Sequence, residues 1–370
     1  MRIPFVDLNA QYKEIKTEID TVIARVIDSS KFIGGEDVGK FEEEFARYIG
    51  NAYCIGVNSG TDALILGVRA LGLGQGDEII IPANTYMSGA LAASENGAKP
   101  VFVDIDEEDF GINLKDLTNK INNRTRAVII THLNGQPDKI DEVKNILKKF
   151  GRKIYFIEDA CQAHGAFYKN KRVGSFGIFS AFSFYPGKNL GAYGDAGAIT
   201  TNDKMLAGKY KLLREYGQIK KYYHDAIGVN SRLDSIQAAV LRIKLPHLDK
   251  WNNERRKIAL KYSSYLNEHF SFIKTPNNFN NRESIYHLYV IRIANRNKLL
   301  NYLAKNGIQV LIHYPVPLHL QKAYRYLGYS EGDLPIVEKV SSEILSLPMY
   351  PELNKEKLNY ILEKITKFYK

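Results

Sequence analysis

Ser183-Phe184-Tyr185-Pro186-Gly187-Lys188-Asn189-Leu190-Gly191-Ala192-Tyr193-Gly194-Asp195 is the stretch on which the reading of this chain turns. The apolar run Phe179 to Phe184 leads into it and predicts a buried strand. A Pro-Gly turn then sets Lys188 just past the strand end, in a glycine-rich segment. That places an amine rigidly, with close backbone approach and little competing water, as a reactive lysine requires. The plain alternative is a surface turn with a solvated lysine.

Working outward, the same pattern recurs. Tyr53 to Val57, Glu78 to Ile81, Pro100 to Val103, Ala127 to Thr131 and Ile154 to Ile157 are short apolar runs that predict buried strands. Amphipathic stretches such as Ala63 to Leu71 and Ile140 to Phe150 separate them and predict helices. Strands apolar on both faces, alternating with helices, imply a mostly parallel sheet covered on each side. Such sheets bind ligands beyond the carboxyl ends of their strands. Upstream, Tyr12 to Ile27 and Val38 to Tyr48 read as helices. Downstream, a helix over Asp234 to Leu245 is interrupted at Pro246 and resumes through Trp251 to Leu266. Then come a polar loop (Pro276 to Arg282), an alternating strand (Ile285 to Ile293), a helix (Asn297 to Lys305) and two further helices. The expected division is a large domain over 1–247 and a smaller α/β domain over 248–370.

At 370 residues the chain has room for that architecture, and 45% hydrophobic with 25% charged content is ordinary for a globular protein. No apolar run approaches the ~18 residues of a membrane span, and no leader pattern follows Met1. Cys54 and Cys161 lie far apart and form no metal-ligand pair, so reduced thiols in a cytoplasm are expected. The net charge of +10 is spread among acids rather than gathered in a stripe, which argues against nucleic acid and reads mainly as a solvated surface with some preference for anionic substrates.

Four further constellations fall at predicted strand ends. Ser59-Gly60-Thr61 stands at a strand-to-helix junction, where free N–H groups and hydroxyls form a phosphate cradle; simple helix capping is the alternative. Glu158-Asp159 ends a buried strand, and one of the two acids can meet a buried cation. His164 follows closely and reads either as a core histidine bonded to backbone or as a direct participant. Tyr86 lies just past another strand, where it can stack on a flat ring or merely pack. Asn230-Ser231-Arg232-Leu233-Asp234 opens a helix, by capping or as a second phosphate contact. Together these describe a planar, phosphorylated pyridine joined to a lysine, which is pyridoxal 5′-phosphate. A strand-end carboxylate on its ring nitrogen would keep that nitrogen protonated.

On the segments Ile3-Pro4-Phe5-Val6-Asp7-Leu8, Asn58-Ser59-Gly60-Thr61-Asp62-Ala63-Leu64, Glu158-Asp159-Ala160, Tyr185 to Gly191, Asn230 to Asp234 and His313-Tyr314-Pro315, the chain resembles the DegT/DnrJ/EryC1/StrS sugar aminotransferases, essentially end to end. The resemblance implies an aspartate-aminotransferase-like α/β fold (fold type I) and a homodimer with shared active sites. It implies that Lys188 bonds the cofactor covalently, Asp159 meets the pyridine nitrogen, Gln162 meets the phenolic oxygen and Tyr86 stacks on the ring. Ser59, Gly60, Thr61 and Ser183 would line the phosphate site, with Asn230 reaching it from the other subunit. The segment around Lys188 is similar to the branch that aminates the 3-keto carbon of nucleotide-linked 6-deoxyhexoses, with glutamate as donor. It lacks the Thr-Thr-Gly-Glu-like run usual after the lysine in the 4-keto branch. Tyr185, Lys220, Lys221, Tyr223, His313 and Tyr314 are the candidate contacts to a nucleotide sugar, most simply a dTDP-linked one. Asn134 stands where such relatives often carry Tyr, which bears on the hexose accepted, while Cys161 and Ala196 are near-isosteric replacements. The rival readings are a 4-keto or aminating, aromatising relative, and a cofactor-binding regulator without turnover that only the basic pI favours.

Overall fold

In the computed structural model, which describes residues 1–370, the strand ends named above converge on one edge of a single sheet. Its strands are β1 (Tyr53–Val57), β2 (Glu78–Pro82), β3 (Lys99–Val103), β4 (Thr125–Thr131), β5 (Tyr155–Asp159), β6 (Ser180–Ser183) and β7 (Gly197–Thr201). The spatial order is β1-β7-β6-β5-β4-β2-β3. All neighbours are parallel except β7, which runs antiparallel between β1 and β6.

The helices are α1 (Leu8–Glu14), α2 (Lys16–Ser29), α3 (Glu36–Ile49), α4 (Gly60–Ala70), α5 (Ser88–Ser94), α6 (Leu114–Lys120), α7 (Ile140–Lys149), α8 (Lys204–Leu213), α9 (Ser235–Lys244), α10 (Leu248–His269), α11 (Arg296–Lys305), α12 (Pro335–Glu343) and α13 (Lys355–Tyr369). On α3 the buried positions Val38, Phe41, Phe45 and Ile49 recur at helical spacing, and they pack against Phe182 and Phe184 of the lysine-bearing strand and turn. No helix is long and apolar enough to cross a membrane.

Beyond the sheet, β8 (Tyr289–Arg292) pairs antiparallel with β9 (Ile344–Leu347). Tyr289, Ile291, Leu345 and Leu347 share a second apolar cluster with Tyr262, Leu303 and Ile361 of the surrounding helices. Ile3 joins that cluster and bridges to Ile308, so the first residues of the chain pack with the last hundred.

Several element boundaries depart from expectation. The helix expected over Tyr12 to Ile27 breaks at Ile15, whose φ of −119° leaves helical space while its side chain sinks between Val240 and Trp251. The strand expected over Ile285 to Ile293 is paired only at Tyr289–Arg292, because its partner β9 offers four residues. Both β7 and β9 were absent from the expected pattern. Gly-Ala-Ile-Thr-Thr is too small and polar to read as a core strand, and β9 follows α12 directly with no turn residue between them.

Candidate active site

Register places the site. Val57 and Ser183 both pair with Gly197, and Asp159 pairs with Ala181. The chain leaving β1, β5 and β6 therefore emerges side by side. Ser59 caps α4 by accepting from Asp62 N at 3.1 Å, so the capping role is real and leaves the first N–H groups of α4 free at the same edge. The approach is close enough to require glycine: a Cβ on Gly60 would lie 2.6 Å from Ser183 Cβ and 2.7 Å from Cys161 Sγ. Thr61 Oγ1 shares a 2.7 Å hydrogen bond with Ser88 Oγ, which orients its hydroxyl beside them.

The two acids at the end of β5 separate cleanly. Glu158 is fully buried and committed: it takes His132 Nε2 at 3.0 Å, the N–H groups of Gly174, Phe176 and Gly177, and Ser180 Oγ. Because His132 Nδ1 accepts from Asp138 N at 3.1 Å, its hydrogen lies on Nε2 and is donated to Glu158. Burial works to raise the Glu158 pKa, but the His132 bond and the backbone donors outweigh it and hold the carboxyl below its usual range. Asp159, 5% exposed, accepts only from Cys161 N, through Oδ1 at 3.1 Å, which leaves Oδ2 for a ligand.

Lys188 enters no ion pair, and burial lowers its pKa below the usual range against the opposing pull of Cys161 and Asp159. A lysine so placed carries more free amine at neutral pH than a surface one. Gln162 bridges outward: Oε1 accepts from Asn134 N at 2.7 Å and Nε2 donates to Tyr314 OH at 3.2 Å. Asn134 adopts a left-handed φ of 59°, which asparagine tolerates far better than a bulky residue, and its Oδ1 is buried without a partner. Tyr314 lies 5.8 Å, ring to ring, from Tyr86, which is 58% exposed in the single chain. His313 bonds Ser346 Oγ at 2.8 Å, and burial, with Lys188 adding, lowers its pKa to about 4. His164 is fully buried and packs against Phe182 and Phe184, as the core reading of this residue has it. Burial, then Lys188, lowers its pKa to about 3.

Not every expected contact gathers here within one chain. Lys220, Lys221 and Tyr223 lie exposed on a short hairpin, Gln218–Lys220 against Tyr223–His224, that packs on α8. Tyr185 is 59% exposed. Asn230 is exposed and bridges Glu215, although its neighbour Ser231 accepts from Asn58 N at 3.2 Å and donates to Asp62 Oδ2 at 2.7 Å beside the cradle. Conversely, His287, Asn189 and Asn252 form a bonded group beside Lys188 that sequence reading passed over. The one available signal was a histidine interrupting the apolar run Ile285-Tyr286-His287-Leu288-Tyr289.

The turn after Lys188 is fastened from below by Lys244, 1% exposed, whose Nζ donates to Gly191 O at 2.8 Å and sits 4.2 Å from the Tyr193 ring centroid. Burial lowers its pKa from 10.5 to about 7, with Glu352 opposing. The unfolded chain therefore binds the extra proton between these values, and the contribution of Lys244 to stability rises with pH across that window. Lys244→Met removes this dependence. Urea unfolding of both proteins is expected to show wild type gaining about 2 kcal/mol over the variant between pH 7 and pH 9. A difference that stays flat with pH would mean that Lys244 folds at its ordinary pKa.

A carboxylate oxygen without a partner, an unpaired amine, paired hydroxyls and a free helix start converge at one sheet edge. That donor set fits a phosphorylated pyridine aldehyde: the cation-seeking oxygen for the ring nitrogen, the amine for the aldehyde, and the helix start for the phosphate. The fold and site define a pyridoxal-phosphate aminotransferase. The chain belongs to the DegT/DnrJ/EryC1/StrS aminotransferase family, whose model matches residues 13–366. It is 45% identical to the dTDP-3-amino-3,6-dideoxy-alpha-D-galactopyranose transaminase of Aneurinibacillus thermoaerophilus, over 99% of each chain. It is 44% identical to a Geobacillus stearothermophilus protein named as a pleiotropic regulatory protein, over 100% of this chain and 99% of that one. Among solved structures, S. venezuelae DesV in complex with ketimine intermediate superimposes with a TM-score of 0.96 at 42% identity, over 99% of this chain and 98% of that one.

Proposed function

We propose that this enzyme transfers the amino group of glutamate to C3 of a dTDP-linked 3-keto-6-deoxyhexose, in two half-reactions at one site. The observation that carries the chemistry is the unpaired Lys188 amine at the edge shared by Asp159, Ser183 and the start of α4. Bound there, pyridoxal phosphate supplies an electrophilic carbon and an electron-withdrawing ring. Asp159 Oδ2 would hold the pyridine nitrogen in its protonated form. The start of α4, Thr61 and Ser183 would anchor the phosphate. The Lys188 amine would serve as the general base that takes the proton from the substrate carbon and as the acid that gives it back. Gln162, braced by Asn134 N and Tyr314 OH, would orient the phenolic oxygen. Tyr86, Tyr185, His313 and Tyr314 wall the sugar. In a homodimer the Lys220–Tyr223 hairpin and Asn230 would serve the neighbouring site, which accounts for their exposure in one chain.

The choice of C3 is supported by the segment Tyr185 to Gly191 and by the 3-amino sugar in the name of the A. thermoaerophilus relative. Family relatives are named for both dTDP- and UDP-linked sugars, so the uridine counterpart is the natural control. A keto carbon displaced by one ring position cannot reach the same near-attack pose, and a misplacement of ~1 Å can cost about 100-fold in rate. With glutamate present, the dTDP-linked 3-keto sugar is expected to be aminated at least ~100-fold faster than its 4-keto isomer. NMR of the product locates the new C–N bond. An amine at C4, with the 3-keto compound untouched, would make the 4-keto reading correct.

A further inference from the structure

Asn189 follows Lys188 directly and is 2% exposed. Its Nδ2 donates to Asn252 Oδ1 at 2.8 Å and to the Ile285 carbonyl at 3.2 Å, while its Oδ1 lies 3.1 Å from His287 Nδ1. A flipped amide would turn its oxygen onto the Ile285 carbonyl, so the orientation is set by the network. Both amide hydrogens being committed, Oδ1 accepts, and His287 Nδ1 carries the hydrogen. The other ring nitrogen, Nε2, keeps its lone pair; it makes no hydrogen bond and is not sealed in the interior.

The His287 ring is half-buried and surrounded by cationic or ionisable groups from each neighbouring element: Lys188 on its turn, Arg255 on α10, His164 after β5 and His313 after α11. Burial, then the Lys188 and Arg255 charges, hold its pKa well below the ordinary histidine value. The backbone of the same residue is tied down too, since Arg255 Nη1 donates to the carbonyls of Tyr286, His287 and Met349. Asn252 completes the frame by donating from Nδ2 to the His164 carbonyl at 2.8 Å. One short chain of bonds thus runs from the segment entering β8, through His287 and Asn189, to the residue beside the reacting amine.

We propose that His287 is a positioning residue for Lys188: as an Nδ1–H imidazole it holds Asn189, and with it the lysine-bearing turn, against the C-terminal sheet. The inference rests on Lys188 being the reacting amine. It assigns His287 no contact with substrate. Because the bond uses Nδ1, asparagine at this position retains a donor near the same place, whereas phenylalanine retains a ring of similar area without one.

The test has two arms. In the apoprotein, ¹⁵N NMR of His287 should show a neutral ring with the hydrogen on Nδ1 at pH 7. This readout stands whatever reaction the protein performs, so it separates failure of the clamp from failure of the functional reading. In the loaded enzyme, His287→Phe should lower kcat roughly 10- to 100-fold, as expected for a misplaced amine, with KM for glutamate within about threefold. The pH midpoint of the bound cofactor's visible absorbance should move with it. His287→Asn should restore both. An Nε2–H tautomer would overturn the proposal. So would a phenylalanine variant with wild-type kcat and midpoint, or an asparagine variant as impaired as the phenylalanine one.

Discussion

Lys188→Ala protein is expected to retain cofactor at the phosphate cradle and to lose turnover by about 10⁴-fold or more. Two separate contributions vanish together. The amine proposed to bond the cofactor aldehyde is gone, and so is the group proposed as the base that moves the proton; the second alone is worth roughly 10²- to 10⁴-fold. The neighbouring imidazoles are poor substitutes: burial, the largest cause in each and one that the substitution leaves in place, holds His164, His287 and His313 below the ordinary histidine range. Cofactor affinity should fall less than rate, because the start of α4, Thr61, Ser183 and Asp159 all remain. The measurement is single-turnover consumption of glutamate by the loaded variant against wild type. A variant that keeps turnover within tenfold of wild type would place the base elsewhere.

The second large effect belongs to Asp159. Asp159→Asn keeps an oxygen for Cys161 N, which the carboxylate now accepts at 3.1 Å, so the local turn should survive. What is lost is the negative charge on the side chain proposed to face the pyridine nitrogen. Without it the ring nitrogen gives up its proton and the ring withdraws electrons less strongly when charge develops. Loss of an interaction that matters most in the transition state lowers kcat more than binding. A fall of roughly 100- to 1,000-fold in kcat is expected, within the range seen when a preorganised electrostatic partner is removed. Cofactor dissociation, followed by absorbance on dilution, should change far less. Glu158 cannot compensate, because both of its oxygens are already occupied by His132, Ser180 and backbone donors. Near-normal kcat in the variant would show that another group protonates the ring.

The parts of this site that could be read from sequence share one property: they lie within a few residues of a strand end. Ser59 to Thr61, Asp159, Gln162, Ser183 and Lys188 follow apolar runs whose β character is plain, and a parallel sheet then brings their ends together. What stayed hidden was set by distant packing. The small strand Gly197–Thr201 carries little apolar signal, yet its Gly197 is where β1 and β6 close on each other. The residues alone left Glu158 and Asp159 as alternatives and the resemblance pointed to Asp159; the physical reason, that Glu158 points toward His132 and the Gly174–Gly177 turn, appears only in the fold. His287 meets Asn189 across 98 residues of sequence, a contact that no local pattern announces. The break at Ile15 has the same origin, since only the folded position of Trp251 shows why that isoleucine turns inward.

Every role proposed for this site depends on Lys188 as the residue that bonds the cofactor. The most direct test is to load the wild-type protein with pyridoxal phosphate, reduce it with borohydride, digest it and locate the modified residue by mass spectrometry. A single stable adduct is expected on the peptide containing Tyr185 to Gly191, at Lys188, with loss of the visible absorbance. A reduced adduct on any other lysine, or cofactor that washes away unmodified, would contradict it.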